Sequence, residues 1–478
     1  MAAPIERRGR DNTAMISRFD LDERVREWRL RDDVVEKDYV IGWLLWGIGS
    51  NEPLAATWAF KGGTCLKKCY IETYRFSEDL DFTVLPGGPI LPDQLSAMFK
   101  DVLARVTEAS GIGFSERPPA FRVRPTGTDV EGRVFYRGPR GAPSVATVKL
   151  DLTGSERLVQ PVVLRPIAHA YPDTLPGPAT VPCYSFEEVF AEKIRAMGER
   201  GRPRDLYDIV NLFRRDDMNL NPSVVRAVLR EKCVSKGVPI PTMAAIEASP
   251  YRAELEAEWP NMLAHQLPEL PPFESFWGEL PRLFAWLETG PVAKRLATIP
   301  VREAIDTSWA APPTMQAWGM AAPVEPIRFA AANRLCIELG YKGTKRLIEP
   351  YSFRRSKAGD LLLCAVKVAT RETRTYRFDR IESVRVSDKS FTPAYLIELG
   401  SLTSFSAPGL TRPRTVVHRP AVKAQRSGGT TYVVKCTACG REFKRSTSST
   451  TLREHKTKQG WPCPSRSGYH VRTTYGRQ

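Results

Sequence analysis

The apolar positions change period several times along the chain, and each change marks an element. The segment LDERVREWRLRDDVVEKDYVIGWLLWGI repeats its apolar residues at helical intervals and predicts an amphipathic helix. TWAFKGG reads as a short strand ending at two glycines, TCLKKCYIE as a helix beginning there, and LDFTV as the next strand. PPAFRVRPTGTDVEGRVFYRG predicts a hairpin. In SVATVKLDLT, Val148, Leu150 and Leu152 alternate with Thr147, Lys149 and Asp151, so the polar three share one face of a strand. SFEEVFAEKIRAMGERG carries a full helix start and stop: Ser185 as cap, Glu188 completing a capping box, Gly201 as terminator. RPRDLYDIVNLFRR follows as a second helix, and helical, Pro-punctuated sequence continues to about residue 310.

Beyond that point the pattern shortens to β-type alternation. The resulting division is a helical segment at 1–50, an α/β core at 51–170, a helical region at 171–310, a linker at 311–324, a β module at 325–400, a flexible basic linker at 401–430 and a compact tail at 431–472. No internal repeat interrupts this order. The class is α/β, in the α+β sense, followed by two small modules.

Composition sharpens this picture in three places. A chain of 478 residues is too long for one ordinary core. Its net charge of +16 is concentrated at one end: residues 401–478 hold 15 Lys and Arg against 2 Asp and Glu, a net +13, leaving +3 for the first 400. That distribution points to a polyanionic partner for the tail. The nine cysteines form no disulfide framework, and the longest apolar run, VIGWLLWGIG, is far short of the ~20 residues that span a bilayer. MAAPIERRGRDN has no apolar signal region, so a cytoplasmic, reducing location without membrane attachment is expected.

The candidate chemistry lies between Phe60 and Val84. A strand ending in Gly62, Gly63 and Thr64 at a helix start leaves backbone N–H groups for a phosphate, with a hydroxyl beside them. Alone, that pattern is usually a tight turn. Asp79 and Asp81 stand two apart on the next strand, so both carboxylates point one way and repel unless a cation joins them. Mg²⁺ suits such a pair, and Asp151 offers a third carboxylate. Three carboxylates beside a phosphate-binding turn are what metal-assisted phosphoryl or nucleotidyl transfer requires. Asp205 and Asp208, three apart, share a helix face; Arg204 and Asp208 could equally form a simple ion pair.

KGGTCL and RFSEDLDFTV, preceded by EKDYVIGWLL and followed by KLDLT and EEVFAEKIRAMGERGRPRDLYDI, resemble the AbiEii/AbiGii nucleotidyltransferase toxin family. The resemblance runs from about Val35 to Arg214, and less clearly to about residue 310. It implies a fold similar to DNA polymerase beta and the toxin half of a toxin and antitoxin pair. It implies Asp79, Asp81 and Asp151 as Mg²⁺ (or Mn²⁺) ligands, with Lys193 and Asp205 completing the catalytic set. It also implies Lys61, Gly62, Gly63, Thr64, Arg75, Lys193 and Asp208 as the nucleotide-binding set, with an NTP as substrate.

IEPYSFRRSKAGDLLLCAVK and RTYRFDRIESVRVSDKSFTP resemble a WYL domain, a small Sm-like β-barrel, which implies a nucleic-acid or nucleotide ligand. The naming Trp-Tyr-Leu triplet is absent; Leu361, Leu362 and Leu363 lie near its place. Tyr376 and Phe378 with Arg354, Arg374, Arg377 and Arg380 offer either stacking faces and cations or core aromatics with solvated arginines. In the tail, Cys436, Cys439, His455 and Cys463 have the ligand types of a closed tetrahedral zinc site resembling a zinc finger, with His470 as a rival fourth ligand. Its basic surroundings suit phosphate contacts.

The reading these observations favour is a Mg²⁺-dependent nucleotidyltransferase toxin of a toxin–antitoxin or phage-defence system, restrained by a cognate antitoxin, that moves a nucleotide from an NTP to an acceptor, with tRNA or another RNA end expected ahead of a protein. The alternative is a nucleotide-sensing, nucleic-acid-binding regulator of a defence locus without turnover.

Overall fold

The computed structural model describes residues 15–125, 127–215, 218–290, 296–312, 323–399, 430–445, 449–455, 457, 463 and 465–475. Most of the expected linkers at 311–324 and 401–430 lie outside these residues. The chain divides into two compact units, residues 1–410 and 411–478.

The first unit is organised by a seven-stranded mixed sheet. Its strands are β1 (Trp58–Lys61), β2 (Asp79–Val84), β3 (Ala120–Val123), β4 (Asp129–Tyr136), β5 (Ala146–Thr153), β6 (Val163–Pro166) and β7 (Thr180–Cys183). They lie in the order β3-β4-β5-β2-β1-β7-β6. The expected hairpin is β3 and β4, paired antiparallel. β2 runs antiparallel to β1 and parallel to β5, which brings the Asp79/Asp81 strand to the middle of the sheet, beside the strand that carries Asp151.

The single amphipathic helix expected at the N-terminus is instead two helices, Arg18–Trp28 and Asp32–Gly49. Arg29 interrupts them in a left-handed conformation, and the second helix is buried on nearly all sides. The helix Pro92–Ser110 covers it near Gly47, where a Cβ would strike Val106. On another side Tyr39 donates to Asp173 at 2.8 Å. A helix enclosed in this way need not show one polar face.

Ser185 caps the helix Phe186–Arg200 as expected, its Oγ accepting from the Glu188 N–H at 3.1 Å. The capping box is not completed. The Glu188 carboxylate accepts from the backbone N–H of Val159 and Gln160 and pairs with Lys232 at 2.8 Å, in full burial. Gly201 ends the helix with φ 50°.

After the helix Val324–Ala332 comes a second, all-antiparallel sheet: β8 (Leu335–Tyr341), β9 (Thr344–Arg355), β10 (Leu361–Lys367), β11 (Thr373–Arg377) and β12 (Ile381–Ser390). Its order, β11-β10-β9-β8-β12, leaves β11 and β12 as edges. Tyr376 and Phe378 do not form a stacking platform. Tyr376 packs on Tyr341 and Phe378 on Phe353, while Arg374 and Arg377 pair with Glu372 and Asp379. Alternation also stops at Arg377, where a 3-10 turn, Phe378–Arg380, begins. The second unit holds a three-stranded sheet, β13 (Thr430–Cys436), β14 (Glu442–Arg445) and β15 (Gly468–Tyr475), with β13 central. No helix among the described residues is long and apolar enough to cross a membrane.

Glu188 joins the sheet region to the helical region in full burial, so removing it leaves two backbone donors and an ammonium poorly compensated. Glu188→Ala is expected to lower unfolding free energy by about 3 kcal/mol, read as a lower urea midpoint.

Candidate active site

The glycine turn is shaped by what lies beneath it. Gly62 has φ 78°, and a Cβ there would collide with the Asp81 carboxylate. A Cβ on Gly63 would lie 2.5 Å from Arg75 Nη2. Only glycine permits both approaches at these positions. The helix Gly62–Cys65 then loosens into a π turn, Leu66–Tyr70, rather than continuing as one α-helix. Thr64 is buried, and its hydroxyl donates to the Asp79 carbonyl. A hydroxyl has one proton, so the expected donation from Thr64 to a phosphate is replaced by a link holding the turn to β2.

The carboxylates form a row across the sheet. Register pairs Lys61 with Asp81, Asp81 with Asp151, and Asp151 with Glu131, so these side chains lie side by side on one face. Asp79 is paired with Lys149. Burial raises the Asp81 carboxyl to about 6; Lys61 opposes this, and Asp151 and Asp79 add to it. Asp79 is raised as well, first by burial and then by Asp151 and Glu78 despite Lys149. Asp151 already has cations: Arg124, and Lys149 at 3.0 Å. Lys61 is buried against Glu156, with Glu192 at 3.8 Å, so its charge serves the row from one end. Asp79 and Asp81 therefore keep an unrelieved repulsion that a divalent cation would remove.

Facing this row is a second buried cluster. Lys193, on the Phe186–Arg200 helix, lies 2.8 Å from Asp208 and 3.6 Å from Asp205 and is close enough to act on the charge of Asp81. Burial disfavours its ammonium, but Asp208 and Asp205 more than offset this and hold its pKa above the usual lysine value. Arg75 grips Asp208 with two bonds of 2.7 Å and donates to Gln266 at 3.0 Å. Tyr74 adds a fourth bond to Asp208 at 2.8 Å. Although burial alone would raise it, Arg75 and Lys193 hold the Asp208 carboxyl far below the usual range.

Direct nucleotide contact, expected of Arg75 and Asp208, is at odds with this geometry: both are fully buried and bonded to each other. Nor does the simple Arg204–Asp208 pair form; the Arg204 Nε points to the Met262 carbonyl. Asp205 is buried against Arg200, at 2.9 and 3.1 Å, which suits an anchor.

Glu131, Arg124, Glu156 and Gln266 escaped sequence reasoning. For Glu131 a signal existed, since the expected hairpin strand VEGRVFY alternates to place it on a polar face. Gln266 follows a helix and has no periodic signature.

In the second unit the ligand atoms of Cys436, Cys439, His455 and Cys463 all lie within 4.8 Å of one another. Cys436 and Cys463 sulfurs are 3.7 Å apart, and Cys439 Sγ is 3.4 Å from His455 Nε2. His455 Nδ1 lies 2.9 Å from the Arg453 carbonyl, which leaves Nε2 toward the sulfurs. Three thiols and one imidazole so oriented are compatible with tetrahedral zinc. His470, the rival ligand, sits exposed on β15 outside this cluster.

An acidic row across the central strands, a glycine turn against it and a buried lysine close by together describe a nucleotidyltransferase core. The chain belongs to the family described as nucleotidyl transferase AbiEii toxin, type IV toxin–antitoxin system, whose model matches residues 43–288, just over half its length. Among solved structures, the MenT4 nucleotidyltransferase toxin of Mycobacterium tuberculosis H37Rv aligns at 21% identity and a TM-score of 0.38, over 55% of this chain and 86% of that one. No curated protein matches the sequence.

Asp81 titrates near 6 when folded against 3.8 as a free side chain, so without a cation the fold loses stability as pH rises from about 4 to about 6. Two outcomes are expected. Affinity for Mg²⁺ or Mn²⁺ falls by about tenfold for each pH unit below about 6 and is flat above it, read by calorimetry. In EDTA near neutral pH, Asp81→Asn melts at a higher temperature than the parent protein.

Proposed function

We propose that this toxin transfers a nucleotide from an NTP to a hydroxyl of tRNA or another RNA end. The observation that carries the reading is the placement of Asp79, Asp81 and Asp151 on adjacent strands, beside Gly62 and Gly63 and opposite Lys193. A divalent cation on Asp79 and Asp81 would neutralise charge on the transferring phosphate. The Gly62–Gly63 backbone receives the phosphates, and Lys193, held cationic by Asp208 and Asp205, supplies a point charge to the triphosphate. Asp151 acts as the third carboxylate and accepts the acceptor hydroxyl's proton as the new oxygen–phosphorus bond forms and pyrophosphate leaves. Arg75 and Asp208 position Lys193 rather than touch nucleotide.

The family supports two further parts of the reading, an NTP substrate and a cognate antitoxin partner. Cys436, Cys439, His455 and Cys463 would hold a structural zinc, and the basic tail around it would attract the RNA phosphates.

The test is incubation of purified protein with Mg²⁺, each labelled NTP in turn, and total cellular RNA. Label is expected on a tRNA-sized band, reduced at least ~100-fold by Asp79→Ala or Asp81→Ala. Label on protein bands alone would overturn the RNA acceptor; no label anywhere would favour a nucleotide sensor. Separately, elemental analysis of the purified chain is expected to find zinc, and Cys439→Ser to lose it.

A further inference from the structure

Three thiols meet in the core beside the glycine turn. Cys65 ends the Gly62–Cys65 helix, Cys69 lies on the π turn that follows, and Cys183 closes β7, where it pairs with Phe60 of β1. All three residues are fully buried, and their sulfurs lie within 4.8 Å of one another. No His, Asp or Glu joins this group among the described residues. It is distinct from the four tail ligands, which belong to the other compact unit.

A single core cysteine behaves as a small apolar residue and needs no partner. Here three converge from two distant segments, and a buried cation stands close by. Arg165 donates from Nε to the Cys69 carbonyl at 3.1 Å, and its guanidinium stacks 4.5 Å over Tyr70. Its Nη2 has no hydrogen-bond partner, and no carboxylate pairs with the group, among the described residues. The guanidinium is near enough to act on the charge of Cys69 and Cys65. Lys68 acts on Cys69 as well, but Asp38 already matches that ammonium at 2.7 Å. One unmatched positive charge thus lies beside three groups that can each lose a proton.

We propose that Cys65, Cys69 and Cys183 form a site for a soft monovalent metal ion of low coordination number, of which Cu(I) is the type. Thiolates select soft ions. Zn²⁺ in a closed site takes four ligands, and this cluster supplies three. Charge sets the protonation. Cu(I) with thiolates at Cys65 and Cys69 carries one net negative charge, which Arg165 neutralises. Cys183 keeps its proton, donated to the Val181 carbonyl at 3.4 Å, and offers a sulfur lone pair as third donor. Binding therefore forms two copper–thiolate bonds and releases two protons to solvent, with no change of oxidation state.

The site goes beyond the transfer reaction and does not depend on its acceptor. An ion held there ties β7 to the helix that begins at Gly62, so it stabilises the fold by binding only the folded chain and braces the glycine turn.

The experiment uses the full chain carrying Cys436→Ser, Cys439→Ser and Cys463→Ser, which removes the tail thiols. Cu(I) is supplied from a copper-selective chelator under anaerobic, reducing conditions, both to folded protein and during refolding from urea, so that burial does not bar entry. One Cu(I) per chain is expected, bound through sulfur alone by X-ray absorption and raising the melting temperature. Cys69→Ala is expected to weaken binding at least ~100-fold and Arg165→Gln by ~10-fold, while Cys336→Ala leaves it unchanged. No bound copper in either preparation, binding unaltered by both Cys69→Ala and Cys183→Ala, or a preference of these cysteines for Zn²⁺ overturns the proposal. Hydrogen exchange decides the case should the variants unfold. Copper-dependent protection at residues 62–71 and 181–184 upholds the site, and protection confined to other residues rejects it.

Discussion

The Asp208 carboxylate is the point on which the rest of the site depends. It is buried, it accepts from Arg75 and Tyr74, and it pairs with Lys193. The contacts tie two other parts of the chain to the Asp208 helix: Tyr74 and Arg75 precede the acidic strand, and Lys193 belongs to the helix before. A buried ion pair contributes little net stability when every group is satisfied, but breaking one leaves an uncompensated charge. The arrangement is therefore better understood as fixing geometry. It holds a cationic lysine across from Asp81 and places Arg75 under Gly63.

Opposite it, the sheet accumulates charge of one sign. Asp81, Asp151 and Glu131 stand in one row, and local cations answer them unequally. Arg124 and Lys149 serve Asp151, and Lys61 is engaged with Glu156. The resulting imbalance at Asp79 and Asp81 has the electrostatic form of a cation site, and it arises because parallel pairing of β2 with β5 sets like charges in register.

Much of this was legible locally. The glycine turn, the two aspartates on one strand face, the hairpin, the Ser185 cap and the Cys436/Cys439/His455/Cys463 cluster follow from spacing, because strand alternation and capping are short-range rules. The failures are equally specific. Glu188 sits where a capping box would use it, but two backbone donors from residues 159 and 160 and the Lys232 ammonium compete for its oxygens. The Thr64 hydroxyl is bonded to the Asp79 carbonyl on β2 rather than facing open space. Arg75 and Asp208 are separated by 133 residues, so no local pattern announces their bond.

By itself, then, the sequence determined which side chains could share a face, where helices begin and stop, and which residue types could ligate a metal. Tertiary structure alone decided which charges are relieved and which are not. Cys65, Cys69 and Cys183 illustrate the same divide: they are scattered in sequence, yet their thiols meet within 4.8 Å in the core. So does Glu279, ordinary in the sequence and yet shared by the guanidiniums of Arg214, Arg282 and Arg334 in the fold. The physical reason is that periodicity is a property of neighbours along the chain. Desolvation and pairing depend on neighbours in space, and those are chosen only when the sheet order and helix packing are complete.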